Sequence, residues 1–128
     1  MSRIVLDSSA VLAVINHEPG ADKLTFNLLK DATSSTVNLA EVQTKLVSRG
    51  AAPDEAWADT MSPIHEAMPF TEEQSKIAGS LVAQTRPLGL SLADRACLAL
   101  GIALNAPIYT ADKSWKSLKL PVRIHVIR

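Results

Sequence analysis

The apolar positions of this chain fall into short runs separated by helix-capping residues. Arg3 to Leu6 predicts a short buried strand, and Asp7-Ser8-Ser9 supplies side chains that cap a helix begun by Ala10-Val11-Leu12. Pro19-Gly20 breaks that helix. A second helical pattern runs from Ala21 to Lys30, with Leu24, Leu28 and Leu29 on one face. Ser34 to Val37 predicts a short strand. Asn38 predicts the start of a helix through Arg49 that Gly50 closes, with Glu41 three positions after Asn38 as in a capping box.

The second half keeps the same alternation. Pro53-Asp54-Glu55 starts a helix ending near Pro63, Ile64 to Phe70 holds a short strand, and Thr71 caps a helix running to Thr85. Arg86-Pro87-Leu88-Gly89 is a loop. Ser91-Leu92-Ala93-Asp94 is a second capping-box signature, opening an apolar helix through Leu104 that Asn105-Ala106-Pro107 ends. Ile108-Tyr109-Thr110 is a strand, Ala111 to Leu118 a short helical turn, and Val122 to Ile127 a last strand of alternating apolar positions. Strands alternating with helices predict an α/β fold, a central, mainly parallel sheet flanked by helices. No repeat, linker or low-complexity segment interrupts residues 1–128, which are expected to form a single domain around one core. In such sheets the chemistry belongs at the carboxyl ends of strands beside a switch in strand order, and Asp7 and Asp112 fall there.

Composition narrows the partners. Hydrophobic residues make up 47% of the chain against 20% charged, a globular balance that leaves some apolar surface for a partner. Thirteen basic and thirteen acidic residues cancel, so no overall positive field attracts nucleic acid and any RNA contact must come from a local patch. Cys97 is the only cysteine, which excludes an intramolecular disulfide and a multi-cysteine zinc site and suits a reducing cytoplasm; it is expected in the core. No signal peptide or transmembrane run is legible, so a soluble cytoplasmic protein is expected.

Four carboxylates occupy junctions: Asp7 after the first strand, Glu41 and Asp94 in first turns of helices, and Asp112 after the Ile108 to Thr110 strand. Any one of them is explained by capping and the helix dipole, worth roughly 0.3–1 kcal/mol each. Together they say more, because an α/β fold brings these junctions to one end of the sheet. At about 5 Å and an effective dielectric of about 20, each ionised pair costs on the order of 3 kcal/mol. A divalent cation removes that repulsion, and an all-oxygen site points to magnesium, with manganese as a substitute; neither the histidines nor Cys97 offers the spacing of a zinc site. A metal held this way lowers the pKa of bound water and neutralises charge on a phosphodiester oxygen, so phosphodiester hydrolysis is the natural reaction.

Asp7-Ser-Ser, Asn38-Leu-Ala-Glu41-Val, Leu90-Ser-Leu-Ala-Asp94 and Tyr109-Thr110-Ala-Asp112-Lys113 resemble the successive acidic motifs of PIN domains, in the same order and at similar separations over nearly the whole chain. The short length and the Leu-Ala-Asp and Thr-Ala-Asp blocks are most similar to VapC toxins. The resemblance implies a PIN-like three-layer sandwich and a magnesium-dependent endoribonuclease held inactive by a cognate VapB-like antitoxin, with a homodimer expected. It implies Asp7, Glu41, Asp94 and Asp112 as catalytic acids, Asp7, Asp94 and Asp112 as metal ligands, and Ser8 and Thr110 as polar supports. The family varies at its last acidic position, so Asp112 is left open between touching the metal and acting through a water.

Charge is uneven along the chain. From Arg86 to Arg128 there are seven basic residues and two acids, Asp94 and Asp112. Arg95, Lys113 and Lys116, with Lys119, lie close in sequence to the proposed acids and are candidates for RNA phosphate contacts, against the alternative of a solvated basic face. Gly50 to Gln74 carries six acids and no Lys or Arg, a stretch that repels RNA or simply faces solvent. Trp57 and Trp115 are expected to pack in the core or an interface, and His17, His65 and His125 show no ligand spacing. Leu12 to Ile15 and Leu24 to Leu29 are apolar faces suited equally to the core or, by the resemblance, to an antitoxin helix. Other functions compete. A phospho-acceptor signalling domain needs paired acids at the first strand and an acceptor Asp on a central strand, whereas Ser8 and Ser9 follow Asp7 here. An Asp-x-Asp phosphatase lacks its second acid for the same reason. A non-catalytic PIN-fold module that binds RNA or a partner is the remaining alternative.

Overall fold

Three residues of continuous apolar character, Ile4–Leu6, form the middle strand β1, and all three are buried. The computed structural model describes residues 2–128; Met1, where the expected domain begins, lies outside them. β1 pairs on one side with β2 (Ala32–Ser35), which pairs with β3 (Glu66–Met68), and on the other with β4 (Ile108–Thr110), which pairs with β5 (Ile124–Val126). The order is β3-β2-β1-β4-β5 and every pairing is parallel, where a mainly parallel sheet was expected. Parallel neighbours need crossovers, which the intervening helices supply: α1 (Ser8–Asn16), α2 (Phe26–Leu29), α3 (Thr36–Ser48), α4 (Pro53–Met61), α5 (Glu72–Ser80), α6 (Val82–Thr85) and α7 (Leu92–Leu104). The link from β4 to β5 is a 3-10 turn, Lys113–Ser117.

Strand alternation divides the interior into two layers. Ile4 and Leu6 face a core shared with Ala10, Val11, Leu24 and Val42, whereas Val5 faces the opposite core of Leu98, Leu100, Ile108 and Trp115. Each fully buried Val, Leu or Ile among them contributes roughly 1.5–3 kcal/mol. Gly101 lets α7 close on the sheet: a Cβ there would lie 2.5 Å from Ile108 Cδ1. Cys97 and Trp115 are core residues, as expected. Among the described residues, no helix is long and apolar enough to cross a membrane.

Several boundaries differ from the sequence pattern, each for a local reason. The second strand is Ala32–Ser35 and not Ser34 to Val37, and its residues are small or hydroxylic yet wholly buried. Thr33 Oγ1 donates to the Ile4 carbonyl at 2.8 Å and Ser34 Oγ to the Leu6 carbonyl at 2.8 Å, so hydroxyls bind β2 to β1 where apolar contact was sought. Ser35, not Asn38, caps α3, its Oγ accepting from Val37 N at 3.2 Å. The Asn38–Glu41 capping box therefore does not form, and Asn38 lies inside the helix. The pattern from Ala21 to Lys30 is cut by Thr25, which caps the separate helix α2, and the pattern after Thr71 breaks into α5 and α6. The last strand is limited to Ile124–Val126.

Candidate active site

The order β3-β2-β1-β4-β5 reverses direction between β1 and β4, and the carboxyl ends of those two strands are where sheets of this kind bind ligands. Asp7 follows β1 there. It is 4% exposed and caps α1, with Oδ1 accepting from Ala10 N at 2.8 Å and from Ser9 Oγ at 2.7 Å. Its Oδ2 accepts from Thr110 Oγ1, the last residue of β4, at 2.6 Å. Burial pushes the Asp7 carboxyl up to about 6; the Thr110, Ala10 and Ser9 hydrogen bonds pull it back, and the charge of Asp94 adds to the rise. Desolvation therefore wins over three donors.

The other acids arrive on helices. Ser8, first residue of α1, donates to Glu41 Oε1 at 2.5 Å, which brings α3 against the start of α1. Asp94 closes the expected capping box: Ser91 N donates to its Oδ2 at 3.0 Å, and Asp94 N donates to Ser91 Oγ at 3.1 Å. Asp7, Asp94 and Glu41 together, after burial itself, push the buried Cys97 thiol well above its ordinary value, so one apolar wall feels all three charges. Asp112 stands apart. It is exposed, its Oδ1 accepts from Ser114 N at 2.9 Å and Ser114 Oγ at 2.7 Å, and it joins the cluster only through its backbone N–H, which donates to Thr110 Oγ1 at 3.0 Å.

Two contributors escape the sequence pattern. Ser9 Oγ donates to Asp7, accepts from Ala111 N at 2.9 Å and lies 3.3 Å from Thr110 Oγ1, so it ties the β1 and β4 junctions together. Its position two residues after a capping Asp is the available signal. Asn38, buried in the first turn of α3, donates to Ser8 Oγ and to the Ala93 carbonyl. Its spacing of three from Glu41 puts both on one helix face, which was the readable clue.

The basic candidates divide. Arg95 is half-buried and its Nη1 donates to the Ala78 carbonyl at 2.9 Å, which ties α7 to α5. Lys113, Lys116 and Lys119 are exposed. Arg128 pairs with Glu18 at 3.1 Å. The six acids between Gly50 and Gln74 are all exposed. His17, His65 and His125 are exposed as well, and His125 stacks on Tyr109 with ring centroids 4.7 Å apart.

For a hard cation the donor chemistry fits: Asp7, Ser9 and Thr110 gather carboxylate and hydroxyl oxygens at this junction, and burial makes the Asp7 charge costly, with the charge of Asp94 adding to that. Among the described residues no three His, Cys, Asp or Glu side chains already stand as a metal-ligating group. Magnesium does not require one, since it keeps several waters and is commonly held by one or two carboxylates plus substrate phosphate. A cavity of about 580 Å³ opens at the other end of the sheet, between Arg3, Asn105, Pro107 and Arg123.

Known structures share this architecture. The chain is similar to one in the DNA-bound VapBC complex of Salmonella typhimurium, with TM-score 0.77, 17% identity and 100% of each chain covered. It is similar to one in VapBC2 of Rickettsia felis bound to a promoter DNA fragment, with TM-score 0.74, 21% identity and 98% of each chain covered. VapC20 of Mycobacterium tuberculosis, a sarcin-ricin loop cleaving toxin, matches with TM-score 0.72 and 20% identity over 94% of this chain and 98% of its own. No curated protein sequence matches the chain. The sequence profile of the PIN domain matches residues 4–120. The chain belongs to the PIN-domain family.

Proposed function

We propose that this chain is a magnesium-dependent endoribonuclease, the toxin of a VapBC-type pair, working in the cytoplasm as a single PIN-like domain and neutralised by a cognate VapB-like antitoxin. The observation that carries the reading is the buried Asp7 carboxylate, fixed by three donors at the β1–β4 switch point and raised in part by Asp94. PIN-family membership supports it, as does the likeness to a toxin that cleaves the sarcin-ricin loop. The likeness to VapBC complexes supports an antitoxin partner, and a homodimer is proposed from the family likeness alone.

When bound, magnesium, or manganese in its place, supplies an activated water and neutralises charge on the scissile phosphate. The chain's own groups do the rest. Asp7 and Asp94 present oxygens to the cation, and Thr110 and Ser9 keep Asp7 from rotating away. Glu41, oriented by Ser8, would join them at the cation and take up the proton of the attacking water. Asp112, tied to the cluster through Thr110, would be a further ligand of the cation, directly or through a water. Lys113 and Lys116 hold phosphates of the RNA without reading bases.

A strand-order argument disfavours the phospho-acceptor reading. In flavodoxin-like receivers the third strand is central, whereas β3 is here an edge strand ending at Met68-Pro69. The test is RNA cleavage by purified protein freed of any partner. Cleavage is expected with magnesium, is stopped by EDTA, and is lost in Asp7→Asn and Asp94→Asn variants that keep the wild-type circular dichroism spectrum. Cleavage unchanged in both folded variants overturns the site; absence of cleavage on every RNA tried, with metal present, favours a binding module.

A further inference from the structure

Asn38 is 1% exposed and sits in the first turn of α3, one helical turn before Glu41. Its Nδ2 donates twice, to Ser8 Oγ at 3.2 Å and to the backbone carbonyl of Ala93 at 3.1 Å. Its Oδ1 is buried with no hydrogen-bond partner among the described residues. The Ala93 contact fixes the orientation of the amide, because turning it round would set two carbonyl oxygens against each other. Ser8 Oγ thus accepts from Asn38 and must aim its own hydrogen elsewhere. It donates to Glu41 Oε1 at 2.5 Å, with the Asn38 backbone carbonyl a longer alternative at 3.3 Å. The relay has one direction, from Asn38 through Ser8 to Glu41.

The same amide reaches α1 one residue after Asp7 and α7 one residue before Asp94. The helices that carry Glu41 and Asp94, and the helix start that follows Asp7, therefore meet on one neutral side chain. Packing alone does not ask for asparagine here, since an apolar residue of equal size fills the space and leaves no oxygen orphaned. Capping does not ask for it either, because Ser35 caps the helix.

We propose that Asn38 is a positioning residue of this site: its amide directs the Ser8 hydroxyl onto Glu41 and holds the start of α7 against α3, so that Glu41 and Asp94 converge on one cation. This rests on the reading of Glu41 and Asp94 as acids of a metal-dependent nuclease. A neutral donor suits the role, because it organises carboxylates without adding a charge that competes with the cation.

The experiment is Mn²⁺ binding to the full chain by titration calorimetry, with thermal unfolding and RNA cleavage measured on the same samples. Asn38→Leu and Ser8→Ala are each expected to weaken Mn²⁺ binding by about 10-fold or more, the usual effect of removing a group that orients a ligand. At saturating Mn²⁺ they are expected to lower kcat and leave KM for RNA unchanged. The double variant is expected to be no worse than the poorer single variant, since both act through one relay. Asn38→Ala replaces Asn38→Leu if the larger side chain disturbs the fold. Unchanged Mn²⁺ affinity and kcat in a folded Asn38 variant overturn the proposal, as do losses at Asn38 and Ser8 that simply multiply. Glu41→Gln and Asp94→Asn separate the two levels. If these leave Mn²⁺ binding and cleavage intact, the nuclease reading itself fails; if they abolish both while Asn38→Leu abolishes neither, only the positioning role fails.

Discussion

Asp7 and Asp112 follow two adjacent strands and begin from the same local chemistry. Each caps the element after its strand, and each accepts at Oδ1 from the hydroxyl of the serine two residues on, both at 2.7 Å. Their fates diverge because Asp7 is 4% exposed and Asp112 is open to solvent. Asp7 also takes a third donor from a distant strand, Thr110, and feels the charge of Asp94. Equal local motifs thus yield one desolvated carboxyl, raised to about 6, and one solvated helix cap. The difference is what a metal site needs: a carboxylate whose ionised form is costly until a cation arrives.

The sharpest break of this comparison is Asp7→Asn. Cleavage is expected to fall on the order of a hundredfold or more, from loss of a group acting directly in the chemistry. The metal-free fold, by contrast, is expected to gain stability at neutral pH. The folded carboxyl titrates near 6 and its ordinary value is 3.8, so the native state holds the proton more tightly and stability falls as pH rises between those values. The full shift corresponds to about 3 kcal/mol as an upper limit. Urea unfolding of the metal-free protein should show the variant's advantage at pH 7.5 shrinking toward nothing near pH 4. A variant less stable than wild type at pH 7.5 would contradict the desolvation account.

Thr110→Val comes next. It removes the donor to Asp7 Oδ2 and leaves a buried oxygen unpaired, at a cost of about 1–3 kcal/mol. Because that donor favours the ionised form, the Asp7 titration seen by carboxyl NMR should move further upward; a downward move would refute its role. Asp112→Asn should be milder, within about 0.5 kcal/mol in unfolding free energy because Asn caps as well as Asp. Its loss of cleavage should be well below that of Asp7→Asn, and equal losses would erase the distinction between the two aspartates. Smallest of all is Lys113→Ala with Lys116→Ala. Each should lower the salt dependence of single-stranded RNA binding, a slope of log affinity against log salt, by about 0.7, which fluorescence anisotropy at several salt concentrations measures.

Legibility followed the range of the interaction. The Ser91–Asp94 capping box formed as spelled, since both partners lie within one helical turn. Asn38 carried a similar spelling and did something else: Ser35, three residues earlier, took the cap, and the Asn38 amide turned to Ser8 and Ala93. The β2 strand was misplaced by two residues because its hydroxyls are satisfied by β1 carbonyls, a tertiary pairing that makes polar residues behave as core. The contact of Arg95 Nη1 with the Ala78 carbonyl joins α7 to α5 across 17 residues, and no spacing near Asp94 announces it.

By itself the sequence determined the alternation of strands and helices and the junctions that carry Asp7, Asp94 and Asp112, while Glu41 falls a turn deeper in α3 than its spelling suggested, because capping and periodicity act over a few residues. Only the tertiary structure decided the strand order, the meeting of α1, α3 and α7 at Asn38, and which aspartate lost its water. Desolvation depends on everything packed around a group, and no spacing along the chain records what will cover it.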